Sequence, residues 1–293
     1  MDFRLSEDQL ALRAGVREVL ARRFDAAALR GALDGGGLDR GLWRALGDAG
    51  FFALRLPREA GGVGLGLPEA VLLFEEAGRA LLPGPLIATH LAAGLVAGAA
   101  EGTAVVTAPD GGLVEWLAEA DAVRGDVTGA EPVRSADPLT PLHRVPGAGD
   151  ARGTQDPERA LLSAAEQLGS AGRSTALAVH HARTRHQFGQ PIGAFQAVKH
   201  LCAGMLVRTE VARAAVYAAA VTGDPVEIAG AKLLADEAAV RCARDCLQVH
   251  GGMGFTWEAE VHLHLKRAWL RGTRWPTAAR ARELQAVALA EAM

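Results

Sequence analysis

The chain has 293 residues, 49% of them apolar and 5% aromatic, with a formal net charge of −3. That is ample for a large core, and Ala and Leu in place of β-branched runs point to a mainly helical protein. Interspersed charges without a basic stripe argue against nucleic acid; with no run of about 18 apolar residues and no signal peptide in "MDFRLSEDQL", no membrane segment and a cytoplasmic location are expected.

Residues 1–102 are expected to form an N-terminal helical domain. Ser6 and Gln9 make a capping box ahead of Leu12, Val16, Val19 and Leu20 at helical spacing. "LDRGLWRALGDAGF" and "LPEAVLLFEEAGRALL" are further amphipathic segments. Between them, the glycines of "LPREAGGVGLG" follow no strand and miss the G-x-G-x-x-G frame, so a turn is expected there. Residues 103–155 shift toward Val, Asp, Gly, Pro and Thr. Their short strand candidates, "TAVVTAP", "DAVRGDV" and "LHRVPG", suffice for a small sheet. "GAGDARGTQD" reads as a loop ending at a helix start near Asp156. Residues 156–293 are helical again. Helices are expected at 157–183 and 195–222, a third closes at Gly251–Gly252 and a fourth follows Thr256, which outlines a four-helix bundle.

The cysteines, Cys202, Cys242 and Cys246, lie in apolar helical contexts. Cys242 and Cys246 share a helix face but lack a second ligand pair, so they read as small buried hydrophobes. His262 and His264 point to different sides of a helix, and the adjacent His180 and His181 pair no better. No metal is expected. The link "ARTRHQFGQPIGAFQAVKH" between the first two bundle helices needs only Gly189, Pro191 and Gly193 for turning. It also carries Arg185, Gln187, Phe188, Gln190, Phe195 and Gln196.

This link, and "QVHGGMGFTWEAEVHLHLKRA", resemble two signature segments of the acyl-CoA dehydrogenase family: an R-x-x-F-G…F-Q loop and a Q-x-x-G-G-x-G-F run. Similarity extends to "DFRLSEDQLALRAGVREVL", "GFFALRLPREAGGVGLG" and "FEEAGRALLPGP" and is weakest in the middle. The resemblance implies an N-terminal helical domain, a middle β domain and a C-terminal four-helix bundle. It further implies a dimer or a tetramer built from dimers, with FAD across a dimer interface. Arg185 would meet the FAD pyrophosphate of the neighbouring subunit, and Phe188 and Gln196, with Gln187 beside them, would pack around its adenosine half. Gln248, Gly251 and Gly252 would supply the other side. The residue chemistry agrees: Arg is a fixed cationic fork, a ring with amides suits adenine, and glycines admit close backbone approach. Read singly, Arg185 is equally a helix C-cap residue and the glycine run a helix stop.

Two departures from the family pattern stand out. The family reaction removes an acyl-thioester α-proton with a carboxylate while the β-hydrogen leaves as hydride to the flavin. Counting from "GGMGF", the usual position of that Glu falls on Trp275, followed by Pro276, while Thr277 matches a Thr that contacts the cofactor. A second family location, beside a D-x-x-R pattern, falls on Glu158 between Asp156 and Arg159, with Arg159 toward the substrate. Anchoring on Gly169 instead shifts this frame by one residue, which a π-bulge would absorb. Glu166, roughly 80° around the helix at about 100° per residue, is the rival base. Either Glu is equally readable as a solvated or ion-paired helix residue. The other departure is the middle domain, small for the family. Its "VVTAPDGG", with Thr107, is the one remnant of the segments that seat the isoalloxazine ring, so no ring contact is expected through 103–150 beyond Thr107. The expectation is therefore one chain of a heteromeric (α2β2) FAD-dependent dehydrogenase of an acyl thioester, on CoA or a carrier protein. It would share its FAD site with a related partner chain. The alternatives are a flavin-free structural or binding subunit and a flavin-dependent oxygenase.

Overall fold

The computed structural model describes residues 4–35, 37–146 and 156–292. Side-chain caps set the helix starts. The Ser6 hydroxyl accepts from the Gln9 N–H and the Ser6 N–H donates to Gln9 Oε1, which is the expected capping box, and α1 runs Glu7–Arg23. Asp25 and Asp39 cap α2 (Ala26–Leu33) and α3 (Arg40–Asp48) by accepting from the N–H groups of Ala27 and Ala28, and of Leu42. After the expected turn, with its left-handed Gly61 and Gly64, come α4 (Leu67–Ala80) and α5 (Leu86–Ala92). At eight and seven residues, α2 and α5 are too short for periodicity to announce.

The middle region is the expected small sheet, in two pieces. β1 (Val106–Thr107) pairs in parallel with β3 (Ala122–Val123). β5 (Leu142–Arg144) lies antiparallel between β2 (Leu113–Glu115) and β4 (Glu131–Val133). The loop expected at 147–155 lies outside the described residues.

The long helices begin and end close to where their caps predict. Asp156 accepts from the Arg159 N–H and starts α6 (Pro157–Thr184). α7 (Gln196–Thr222) stops at left-handed Gly223, and Asp224 starts α8 (Pro225–His250). Two expectations need correction. α6 is regular α-helix throughout, so no π-bulge absorbs the frame shift around Glu158. The expected fourth helix is two, α9 (Val261–Gly272) and α10 (Ala278–Glu291). Pro276 lacks an N–H to continue the first, and the Thr277 hydroxyl caps the second by accepting from the Arg280 N–H.

α6 is the central helix, packed against α4, α7 and α8, with α9 and α10 on α8. Its contact with α4 is backbone on backbone. A Cβ on Gly169 would stand 1.8 Å from the Glu75 carbonyl oxygen, and one on Gly78 would stand 2.0 Å from that of Glu166. α9 is held by polar contacts in the interior. Buried Lys232 donates to Asp236 (2.5 Å) and to the Arg271 carbonyl (3.1 Å). The Gln167 amide donates to Asp236 (2.9 Å) and to the Ala268 carbonyl (3.1 Å). These bonds fix which way the arginines of α9 face.

Two histidines make stability pH-dependent. Burial pushes His90 down to about 4 and His264 down to about 3. Their unfolded forms titrate near 6.5, so below that pH the unfolded chain takes up protons that the folded chain refuses. Stability is therefore expected to fall as pH drops from about 6.5 to 4, by up to roughly 1.4 kcal/mol per pH unit for each histidine. Urea midpoints at pH 7 and pH 5 check this, and equal midpoints would contradict it.

Candidate functional site

The residues singled out in the sequence fall into two groups at opposite ends of α6. Arg159 and Arg185 are separated by 26 residues, about 39 Å of helix at 1.5 Å per residue. One dinucleotide cannot touch both ends of the same α6.

The first group is an open surface. Beyond α6 the chain forms a two-residue hairpin, β6 (His186–Gln187) antiparallel to β7 (Gln190–Pro191). Phe188 and Gly189 at its tip both have positive φ, 53° and 78°, the mirror-turn geometry that matches strand twist. A ring-bearing residue in that region is uncommon. Phe188 is 91% exposed, edge-on to Phe195 with centroids 6.1 Å apart. The hairpin is tied back to α6 by the Ile192 N–H, which donates to the Arg185 carbonyl (2.8 Å). Arg185 is the C-cap residue of α6, so its backbone role and a ligand role coexist. Among the described residues its guanidinium has no partner, and Gln187, Gln196 and Gln248 are exposed.

The end of α8 meets the end of α6, from which this hairpin springs, through a contact the sequence reading missed. The His181 and His250 rings stack at 4.2 Å, 21° from parallel, joining the last turns of α6 and α8. His250 Nδ1 is 2.8 Å from the Cys246 carbonyl, which fixes its ring. The stack thus brings Arg185 and Gln248–Gly252 together. Gly251 has φ 61°, and nothing lies within 4 Å of a Cβ built on Gly251 or Gly252, so backbone there is open to an approaching group. The following turn exposes Phe255 (71%) and Trp257 (64%). Exposed rings beside unengaged amides and a free guanidinium fit the nucleotide end of an FAD and a covering partner surface.

The second group is more buried. β1, β2, the start of α5, the start of α6 and the end of α9 surround a cavity of about 30 Å3 lined by Thr107, Arg159 and Ser163. Thr107 is buried and its hydroxyl donates to the Glu115 carbonyl (2.6 Å). Glu115 Oε1 accepts from Arg271 (2.6 Å) and from Arg274 (2.7 Å). Burial would raise the Glu115 carboxyl, but these two guanidiniums outweigh it and hold it at about 2. Behind them, Arg267 pairs with buried Asp137 and donates to the Leu82 carbonyl (3.1 Å). At about 30 Å3 the space left between these side chains is far too small for a tricyclic ring. The residues present here do not fit an isoalloxazine. Thr277 is exposed, spends its hydroxyl on capping α10 and does not line this cavity.

Neither candidate base is free. Glu158 is held bidentately by Arg55 (2.6 and 3.0 Å), and that hydrogen bond puts its carboxyl below the usual range, weakening it as a base. Glu166 is buried and burial pushes its carboxyl up, as proton abstraction would want, yet Arg271 Nε pairs with it at 2.8 Å and it does not line the cavity. Trp275 is half-buried. The network of Glu115, Arg267, Arg271 and Arg274 escaped the sequence reading. Its one signal was three arginines at i, i+4 and i+7 across a helix otherwise rich in Leu.

Comparison with known proteins agrees along the chain. The family model described as "Acyl-CoA dehydrogenase, N-terminal domain" matches residues 6–104, and "Acyl-CoA dehydrogenase, C-terminal domain" matches residues 147–276. Acyl-CoA dehydrogenase IpdE2 of Mycobacterium tuberculosis is 36% identical, covering 89% of this chain and 91% of that protein. The ChsE4–ChsE5 complex from Mycobacterium tuberculosis superposes with a TM-score of 0.85 at 25% identity, covering 99% of both chains. Butyryl-CoA dehydrogenase from Megasphaera elsdenii, at 19% identity and a TM-score of 0.83, shares the fold over 99% of this chain and all of that one. No helix among the described residues is long and apolar enough to cross a membrane. The chain belongs to the acyl-CoA dehydrogenase family.

Proposed function

We propose that this chain is one subunit of a heteromeric FAD-dependent acyl-CoA dehydrogenase, and that its Arg185–Gln248 face completes a flavin site seated mainly in a related partner chain. The observation that carries this reading is the contrast between the two ends of α6. The nucleotide-type surface is open and unpartnered, while the pocket beside Thr107 is filled by Glu115, Arg271 and Arg274. Support also comes from a structural neighbour described as the ChsE4–ChsE5 complex, which is itself an assembly of two different chains.

In this reading Arg185 binds the pyrophosphate, Phe188 and Gln196 flank the adenosine with Gln187 at the rim, and Gly251 and Gly252 admit the ligand against backbone beside Gln248. When bound, FAD supplies the hydride acceptor for α,β-dehydrogenation of the acyl thioester. The α-proton is taken by a carboxylate of the partner, because Glu158 and Glu166 are each bound to an arginine in this chain. Arg159 stays with the pocket beside Thr107 rather than with the flavin, and Thr277 serves as the cap of α10.

The test is the visible spectrum and the mass of the chain alone and of the chain co-produced with a related family member. The expected result is a colourless chain that becomes yellow in the mixed assembly, with one FAD for each pair of unlike chains. A stoichiometric flavin band in the chain alone would overturn the shared site. Absence of colour in both would favour a flavin-free binding subunit, for which the filled pocket is the supporting observation.

A further inference from the structure

The filled pocket has a chemical imbalance that its own residues do not resolve. Arg159 Nε, Arg274 Nε and Ser163 Oγ are all buried there without a hydrogen-bond partner. Ser163 and Arg274 are each 3% exposed, so bulk water does not reach them freely. All three belong to residues lining the same cavity of about 30 Å3. Buried polar groups are rarely left unpaired, and two of these three are donors that cannot accept. The convergence therefore calls for an acceptor.

The charges point the same way. Three lining guanidiniums, Arg159, Arg271 and Arg274, face two lining carboxylates, Asp110 and Glu115. Glu115 is already shared between Arg271 and Arg274, and the Asp110 carbonyl accepts from Arg274 (3.0 Å). Glu166 meets Arg271 from outside the cavity, and burial pushes its carboxyl toward the neutral form. Arg159 has no carboxylate partner among the described residues, and the hydroxyl of Thr107 is committed to the Glu115 carbonyl. A small anion would accept from these unpaired donors, whose residues line the cavity, and would offset the guanidinium that no lining carboxylate matches.

We infer that this cavity is a small-anion site, in which Arg159, Arg274 and Ser163 hold a halide-sized ion or the carboxylate head of an organic acid. The narrow space between these side chains suits such a head group. The inference rests on the reading that no flavin ring sits here, and a stoichiometric flavin band in the chain alone would overturn that reading independently of the anion result.

The experiment uses the full chain in the assembly in which it purifies. Thermal unfolding is followed while bromide or acetate replaces sulfate at constant ionic strength, and crystals grown with bromide are measured for its anomalous scattering. The expected result is a saturable rise in Tm with bromide and a bromide peak among Arg159, Arg274 and Ser163. In Arg159→Gln and Ser163→Ala the apparent affinity should fall about tenfold or more, as for loss of a charge-assisted hydrogen bond. Both variants should fold, and each serves as a control for general salt effects. Acetate that raises Tm and displaces bromide assigns the site to carboxylates; a response to bromide alone assigns it to a free inorganic ion. Equal responses of wild type and both variants, with only water in the cavity, overturn the site whether or not the sample is yellow.

Discussion

Arg271→Met is expected to lower stability at pH 7 by about 3–5 kcal/mol, the range for removing one partner of a buried ion pair. Arg271 is 6% exposed and serves two carboxylates from different parts of the chain, Glu115 of β2 and Glu166 of α6. Methionine fills much of the volume but leaves both carboxylates short of a cation. Glu115 keeps Arg274, so the heavier cost falls on Glu166, whose carboxyl must then be protonated or stay buried and charged. The same loss should therefore shrink as pH is lowered toward 5. Arg241→Met is the contrast. Its i,i+4 pair with Glu237 is exposed on both sides and should be worth less than about 1 kcal/mol. Adding Glu166→Leu to Arg271→Met should recover part of the loss, because the carboxylate that suffers is gone. Urea unfolding of the four proteins checks the set. A cost for Arg271→Met no larger than that for Arg241→Met would mean that the network does not hold β2 and α9 together.

How much of this molecule could be read from its sequence depended on how local each signal is. Asp156, Asp224, Ser6 and Gly223 act on their own helix ends, and the helices they bound lie within a residue or two of expectation. Strands of two or three residues carry no measurable alternation, which is why β2 and β4 went unseen beside β1, β3 and β5. The hairpin tip was equally hidden, since Phe188–Gly189 is not a dipeptide that announces a mirror turn. The residues proposed for the nucleotide could be nominated because they cluster in two short segments, although the His181–His250 stack that joins those segments could not be foreseen. The closed pocket was the least legible part. Arginine is read as a surface residue by default, and its partners Glu115 and Glu166 lie 156 and 105 positions from Arg271. Sequence could therefore nominate Glu158 and Glu166 as bases, but not tell that Arg55 and Arg271 already hold them.

Arg185→Ala is expected to fold normally and to weaken FAD retention in the mixed assembly by about 10- to 100-fold, equivalent to roughly 1.5–3 kcal/mol for a charge-assisted contact. Folding should be spared because the Arg185 side chain is exposed and bonds to none of the described residues; its structural work as the α6 C-cap is done by the backbone N–H, which donates to the His181 carbonyl (2.9 Å). The loss should appear as a smaller visible flavin band after extended dialysis, with the assembly's mass unchanged. Arg185→Lys should retain the charge but not the two-pronged geometry, and so fall between wild type and alanine. His250→Ala separates positioning from contact. Removing one ring of the stack should loosen the α6–α8 junction and weaken flavin retention less than Arg185→Ala, while leaving the charge in place. If Arg185→Ala keeps a full flavin band, the pyrophosphate is held elsewhere and the open face is a protein interface alone. If instead flavin falls in Arg185→Ala with Arg159→Gln unaffected, the two ends of α6 are functionally separate, as their 26-residue spacing requires of any single bound dinucleotide.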